Sequence, residues 1–122
     1  MSYSNEQWRK AITNLLTKTS KNEIKWEPTD LYVGDVWTVI DNSFAAEIGD
    51  KAYVVSQTRT KHFLDEEEFT WSPMYVLSIF SKSFSGYQKI ATAPALSSLR
   101  GLYEAAEDNL AFNRNALDDL LK

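Results

Sequence analysis

Apolar residues recur along the first part of the chain at the spacing of an α-helix. The positions that share one face are Trp8, Ile12, Leu15 and Leu16. Ser4 and Gln7 have the spacing of a capping box, in which each side chain accepts a hydrogen bond from the backbone N–H of the other residue. Tyr3 stands where it can pack on Trp8 as a hydrophobic staple. We therefore predict a first helix that follows Ser4 and ends within Lys18–Asn22.

The middle of the chain changes to the alternation that is typical of β-strands. Ile24–Glu27 alternates apolar and polar residues, which predicts an edge strand that ends at Pro28. Val36–Ile40 is rich in β-branched residues and predicts a second strand. We expect a bend or bulge at Asp41–Asn42, because the alternation resumes after it in Phe44–Ile48.

A two-residue turn at Gly49–Asp50 predicts a β-hairpin, because glycine readily adopts the positive φ that such turns need. The pairs that this turn predicts are Ile48 with Lys51, Ala46 with Tyr53, and Phe44 with Val55. The apolar residues of both strands then share one face of the sheet, which favours this register over its neighbours.

The second half of the sheet is predicted around an acidic segment. Four consecutive carboxylates resist burial and strand pairing, so we interpret Lys61–Ser72 as a loop or an excursion at the sheet edge. Met74–Phe80 is apolar on both alternating faces and predicts a central strand. A turn at Ser83–Gly86 then leads to an antiparallel strand at Tyr87–Ala91.

The end of the chain returns to helical spacing. Pro94 suits the first turn of a helix, where its missing N–H costs nothing. The apolar stripe of this helix comprises Leu96, Leu99, Tyr103, Ala106 and Leu110. We predict a break near Asn113 and a short last helix over Ala116–Leu121 with Asn115 as its cap. The side chains that would dock this last helix are Leu117, Leu120 and Leu121.

These elements predict one α+β domain that covers residues 1–122. Its N-terminal helix precedes a four- to five-stranded, mainly antiparallel sheet, and two C-terminal helices pack on one face. The length of 122 residues fits one domain. With 43% hydrophobic residues, four Trp, six Tyr and six Phe, the chain is too apolar to be disordered.

The net negative charge is concentrated in one segment, and the chain lacks the features that would predict binding to nucleic acid or a membrane. The net charge is −4, and the run Asp65–Glu68 alone carries four negative charges, so the remainder sums to zero. No basic excess predicts nucleic-acid binding, and no apolar run approaches the roughly 20 residues of a membrane span. The chain has no cysteine, and its first residues lack the apolar core of a signal peptide, so we expect a cytoplasmic protein.

No residue pattern predicts catalysis, a metal site or a cofactor. Cysteine chemistry is excluded, and His62 is the only histidine. It has no second histidine with ligand spacing, and we interpret it as a solvated loop residue. Glu104, Glu107 and Asp108 share a helix surface, which a solvated face explains without acid–base chemistry. We therefore expect a protein that is not an enzyme.

Aromatic residues beside the acidic run suggest a binding surface for another protein. The residues of this predicted site are Asp65, Glu66, Glu67, Glu68, Phe69 and Trp71. Aromatic anchors next to carboxylates suit a partner protein with a basic surface. Core packing is the other explanation for the aromatics. An alternative function is a small-ligand site in an aromatic pocket between the sheet and the helices.

The packing motifs also resemble those of small uncharacterised bacterial domains, some of which are carried on mobile elements. The motifs are Leu15-Leu16-x-Lys18-Thr19, then Ile24-Lys25-Trp26, a predicted β-meander, Leu99-x-x-Leu102-Tyr103 and an acidic, leucine-rich end. The resemblance covers most of the chain. Such domains include immunity-type inhibitors, so it implies an immunity or regulatory role and no catalytic residue.

Overall fold

The computed structural model describes residues 2–121 and arranges them as a five-stranded antiparallel sheet with two α-helices on one face. The elements are α1 (Asn5–Ser20), β1 (Glu27–Pro28), β2 (Thr38–Ile48), β3 (Lys51–Phe63), β4 (Phe69–Ser83), β5 (Gly86–Thr92) and α2 (Ser98–Asn113), followed by a 3₁₀ turn at Asp118–Leu120. The strands follow one another as a meander in the order β1-β2-β3-β4-β5. The predicted α+β class is confirmed.

Helix α1 begins with the predicted capping box. The Ser4 hydroxyl accepts from the Gln7 backbone N–H at 3.1 Å, and the Gln7 side-chain oxygen accepts from the Ser4 N–H at 2.8 Å. The rings of Tyr3 and Trp8 meet edge to face at 6.0 Å, as expected for the staple. The helix ends at Ser20, inside the predicted interval.

The β2–β3 hairpin has the predicted register. Ile48 pairs with Lys51 across the turn, and Phe44 pairs with Val55 further along. Gly49 has a φ of +64°, the left-handed conformation that the turn demands. The pairing shifts between Ile40 and Asn42, which confirms the expected bulge.

The first strand lies later than predicted. Strand β1 is Glu27–Pro28 rather than Ile24–Glu27; it ends at Pro28 as predicted, and Pro28 itself pairs with Phe44. Trp26 is fully buried, and its backbone N–H donates to the Asn109 side chain at 2.9 Å. Helix α2 therefore provides the hydrogen bond that a neighbouring strand would have given. Proline is tolerated in β1 because an edge strand can leave one side unpaired.

The prediction of a loop over Lys61–Ser72 was wrong. Strand β3 continues to Phe63, β4 begins at Phe69, and their residues pair directly up to Phe63 opposite Phe69. The charged side chains do not prevent this pairing, because all four lie in the exposed turn of residues 64–68. We call residues 59–73, the far end of this hairpin, the arm.

The prediction that Met74–Phe80 is central holds for only part of β4. The middle strand of the sheet is β3, while β4 pairs with β5 only over Ser78–Ser83. From Phe69 to Val76, the outer edge of β4 has no strand beside it among the described residues.

Two predictions for the C-terminal region were also wrong. Pro94 precedes α2, which begins at Ser98, and the predicted last helix is only the 3₁₀ turn. Asn115 does not cap that turn with its side chain; it adopts a φ of +56° just after α2. The leucines that were expected to dock are all exposed, namely Leu117, Leu120 and Leu121. A single short turn is too small to bury them against α2.

The main core lies between the helices and one face of the sheet. Its largest fully buried side chains include Trp26, Ile12, Leu77, Leu99 and Leu102. A smaller cluster on the opposite face contains Val54 and Phe80 beneath Leu31 and Tyr32. The main core extends along β4 as far as Tyr75, whose ring contacts Tyr103 at 5.3 Å. The arm begins beyond this point.

Candidate functional site

The arm continues the sheet past the helices, so the face that is buried elsewhere is exposed here. Successive residues of a strand point to opposite faces, and Val55 and Leu77 lie in the main core. The paired residues of the arm at the same alternation are Arg59 with Pro73, Lys61 with Trp71, and Phe63 with Phe69. They therefore occupy the continuation of the helix-bearing face, and no helix of the described chain covers it.

Four aromatic rings line this face in a continuous series that we call the aromatic strip: Trp37, Phe63, Phe69 and Trp71. Neighbouring ring centroids lie 5.5 Å apart for Trp37 and Phe63, 5.9 Å for Phe63 and Phe69, and 5.8 Å for Phe69 and Trp71. The exposed fraction of the four residues runs from 54% for Trp37 to 38% for Trp71. The strip is thus ordered by ring contacts and still open to solvent.

Two cations lie among these rings. The Lys61 ammonium is 4.7 Å from the centre of the Phe69 ring and 5.5 Å from that of Trp71. The Arg59 guanidinium is 5.1 Å from the Trp71 ring, and its Nε is 3.0 Å from both carboxylate oxygens of Asp41. Asp41 lies at the bulge of β2, so the irregularity in that strand places a counter-ion for Arg59. Cation–π attraction stiffens the strip without covering it.

The acidic turn closes the arm, and its first carboxylate has a structural role. One oxygen of Asp65 accepts hydrogen bonds from the backbone N–H groups of Glu67 and Glu68, each at 2.8 Å. These bonds favour the ionised form and lower the pKa of Asp65 below its ordinary value. Leu64 also donates its N–H to the Glu68 carbonyl at 2.9 Å. Asp65 thereby fixes the backbone from which Glu66, Glu67 and Glu68 extend into solvent.

The structure brings the six predicted site residues together but divides their roles. Phe69 and Trp71 belong to the aromatic strip, Glu66–Glu68 form the charged end, and Asp65 holds the turn. Sequence reasoning did not predict that Trp37 and Phe63 join the strip. The positions of Arg59 and Lys61 between the aromatic rings were not predicted either. The alternation of residues 59, 61 and 63 was the available signal, and the predicted loop concealed it.

Other aromatics that the sequence singled out lie away from the arm. Trp26 is in the core, where its indole N–H donates to the Thr19 hydroxyl at 2.9 Å. Tyr87 on β5 donates its hydroxyl to Glu47, which raises the pKa of Tyr87. For Trp26 the packing interpretation is the right one, whereas Tyr87 stays 37% exposed beside its hydrogen bond to Glu47.

A separate groove lies between the start of α1 and the sheet. It has a volume of about 360 Å³ and is lined by Tyr3, Gln7, Trp8, Ala11, Lys51, Tyr53, Ile79, Ile90 and Ala91. Two of its polar side chains already have partners. The Gln7 side chain accepts from the Ser4 N–H, and the Lys51 ammonium lies 3.4 Å from Asp50. The groove is therefore mainly an apolar, aromatic surface.

Neither a metal centre nor a membrane-spanning helix is found in residues 2–121. No three side chains of His, Asp or Glu in that range are grouped so that they could hold a metal ion. Both described α-helices have 16 residues, and neither is long and apolar enough to cross a membrane.

Comparisons with protein-family models, with curated protein sequences and with solved structures gave no match to this chain.

Proposed function

We propose that this chain is a protein-interaction domain without catalytic activity, of immunity or regulatory type, and that its arm binds a basic surface of a partner protein. The observation that carries the proposal is the position of Glu66–Glu68 at the open end of the aromatic strip. Large aromatic side chains are the residues that most often dominate binding at protein interfaces, and carboxylates beside them select a positively charged partner.

The exposure of the strip supports binding rather than internal packing. Phe63 and Trp37 are each about half exposed, at 52% and 54%, whereas Val55 on the same face of the sheet is fully buried in the main core. Exposed, clustered apolar surface costs solubility unless it is used for recognition. Ring-to-ring and cation–ring contacts hold the strip in one arrangement before binding, which lowers the entropy lost on association.

The charges of the arm favour a protein partner over nucleic acid or an anionic membrane. Arg59 and Lys61 are outnumbered by the four carboxylates of Asp65–Glu68, and Arg59 is already paired with Asp41. Binding to phosphate backbones or anionic lipid needs clustered and available cations. We place the interaction in the cytoplasm, since a chain without cysteine suits a reducing compartment.

The test compares proteins captured by the wild-type chain with those captured by an arm variant. Glu66→Gln, Glu67→Gln and Glu68→Gln together remove three charges and leave Asp65 to hold the turn. We expect one or a few basic proteins from a lysate of the source organism to be retained by the wild-type chain and lost by this variant, as measured by quantitative mass spectrometry.

A matched control removes the same charge elsewhere. Glu104→Gln, Glu107→Gln and Asp108→Asn change three exposed side chains on α2 by the same total charge. This control should retain the captured proteins. The proposal is contradicted if the two triple variants lose the same proteins, or if the arm variant loses none while Trp71→Ala also has no effect.

The second candidate function is small-ligand binding in the groove beside α1. Its volume of about 360 Å³ lies in the range of ligand pockets, and Tyr3, Trp8 and Tyr53 line it. Trp8 fluorescence provides the test, because a ligand that fills the groove would change the surroundings of the indole. A screen of small apolar and aromatic compounds that leaves this fluorescence unchanged, with Tyr53→Ala as the control variant, would exclude the groove.

A further inference from the structure

Within residues 2–121 no strand pairs with the outer edge of β4 along the arm, and the strand register determines which backbone groups point outward there. Leu77 accepts a hydrogen bond from the Ala93 N–H at 2.8 Å, which shows that Leu77 directs its backbone groups away from β3. Antiparallel strands alternate this direction residue by residue. Phe69, Trp71, Pro73 and Tyr75 therefore also face outward, while the residues between them face β3.

This open edge runs from the acidic turn to a groove beside α2. The acidic turn lies at one end. At the other end, Pro73, Met74 and Tyr75 border a groove of about 360 Å³ whose far wall includes Leu96 and Arg100. Seven residues in strand conformation, from Phe69 to Tyr75, span about 20 Å at roughly 3.3 Å per residue. The edge thus has room for one extended segment, with the acidic turn at one end; Arg100 at the other end is already paired with Glu104.

We propose that the partner binds as an extended segment that adds a sixth strand to this edge, with lysine or arginine at the end beside the acidic turn. This rests on the proposed function and specifies the form in which the partner is recognised. Backbone hydrogen bonds to the outward groups of Phe69, Trp71 and Tyr75 hold the segment. Its alternate side chains lie beside the outer flank of the aromatic strip, where apolar residues fit.

Pro73 limits which strands can bind. Proline has no N–H, so the outward edge lacks one donor between Trp71 and Tyr75. An interrupted edge resists continuous pairing with a second copy of this chain, as edge prolines do in other sheets. Repulsion between two acidic turns adds to this whenever two arms align in parallel. Pro73 weakens pairing with any strand by one donor, so the charge of the acidic turn is what favours a basic chain.

The test uses a synthetic peptide of alternating valine and threonine with a lysine-rich end. Backbone amide hydrogen exchange is followed by NMR in the free and peptide-bound protein. We expect the Trp71 and Tyr75 amides, which face outward, to exchange more slowly in the complex. The amides of Thr70 and Ser72 should not change, because they already face β3. The control peptide has the same sequence with alternate backbone nitrogens methylated, and it should not bind.

A gain-of-function variant makes the test independent of lost stability. Pro73→Ala restores the missing donor, and one added hydrogen bond should tighten peptide binding about two- to tenfold. Strand addition is overturned if the peptide binds without protecting the Trp71 and Tyr75 amides, if the methylated peptide binds equally well, or if the peptide does not bind at all. It is also overturned if the same amides are protected in a dimer of the free chain. The capture experiment with the arm variants tests the proposed function separately, so strand addition can fail while the proposed function stands.

Discussion

Asn109 shows how much one polar side chain can determine in this fold. Its side-chain oxygen accepts from the Trp26 N–H at 2.9 Å, and its amide nitrogen donates to the Ile24 carbonyl at 3.2 Å and to the Asn22 side chain at 3.1 Å. It is nearly buried, at 7% exposure. The side chain therefore satisfies the backbone of the segment that leads from α1 into β1, and it fixes that segment to α2.

We predict that Asn109→Ala destabilises the protein by about 2–4 kcal/mol, because it leaves the buried N–H of Trp26 and the carbonyl of Ile24 without partners. Urea unfolding followed by Trp fluorescence measures the change. Asn113→Ala is the matched control, since Asn113 is more exposed and bonds only to side chains: it donates to Asn22 and Asn109 and accepts from Lys25. A loss of about 1 kcal/mol or less is expected for it. Equal losses in the two variants would contradict this role for Asn109.

The acidic turn gives a prediction about pH. The pKa of Asp65 is lowered by hydrogen bonds from the Glu67 and Glu68 backbone, so the ionised form is the one that stabilises the turn. Its contribution is complete above the ordinary carboxyl pKa of about 3.9 and is lost as pH falls through the lower folded value. The amide proton shifts of Glu67 and Glu68 should therefore share a midpoint below about 3.9.

The control for that titration is Asp65→Ala, in which the shared midpoint should disappear because the acceptor is gone. A common midpoint above the ordinary carboxyl value in the wild-type protein would mean that Asp65 does not hold the turn in its ionised form.

At the scale of elements, the β3–β4 hairpin has two halves that differ in what packs on them. Its near half carries Val55 and Leu77 in the main core, and its far half is the arm, which carries the aromatic strip. The pairing between β3 and β4 is continuous, so the two halves differ only in what covers the sheet. Ring contacts within the strip replace part of the packing that helices give elsewhere, at about 0.5–1.5 kcal/mol for each aromatic pair.

Two glycines separate the effect of backbone conformation from that of packing. A Cβ added at Gly49 or at Gly101 would meet no atom within 4 Å. Gly49 has a φ of +64° in the hairpin turn, whereas Gly101 lies within α2. We predict that Gly49→Ala destabilises the protein by about 1–2 kcal/mol and that Gly101→Ala stabilises it by about 0.5–1 kcal/mol. Thermal unfolding measures both, and shifts of the same sign would contradict the assignment.

The exposed apolar side chains of the whole molecule include two groups that differ in organisation, the aromatic strip and the C-terminal leucines. Only the strip is organised by contacts among its own side chains and adjoins a concentrated charge. The leucines extend from a single 3₁₀ turn. This difference is why the proposed function was assigned to the strip.

We predict that replacing Leu117, Leu120 and Leu121 together by serine changes the free energy of unfolding by less than about 0.5 kcal/mol for each residue, since all three are exposed. The comparison is Leu102→Ala, which removes a fully buried side chain of the main core. It should cost about 2–5 kcal/mol. Chemical denaturation of both variants measures these changes in the free energy of unfolding. A large loss in the triple variant would show that the C-terminal turn belongs to the folded body.

The local patterns predicted whatever depends on neighbouring residues. The capping box at Ser4 and Gln7, the turn at Gly49 with its register, and the bulge between Ile40 and Asn42 were all predicted, because each is decided by spacing of a few residues. The acidic and aromatic residues of the candidate site were predicted as well, since their charge and size are properties of the residues themselves.

What the sequence could not decide depends on groups brought together from distant parts of the chain. The Trp26 backbone finds its partner in Asn109, and strand pairing continues to Phe63 because only five residues need to leave the sheet at the turn. The same pairing sets Lys61 beside Trp71 and so creates the strip. The sequence by itself determined the helix start, the first hairpin and the acidic, aromatic composition of the arm. Only the tertiary structure decided which of these side chains stay uncovered, because exposure depends on where the helices end over the sheet.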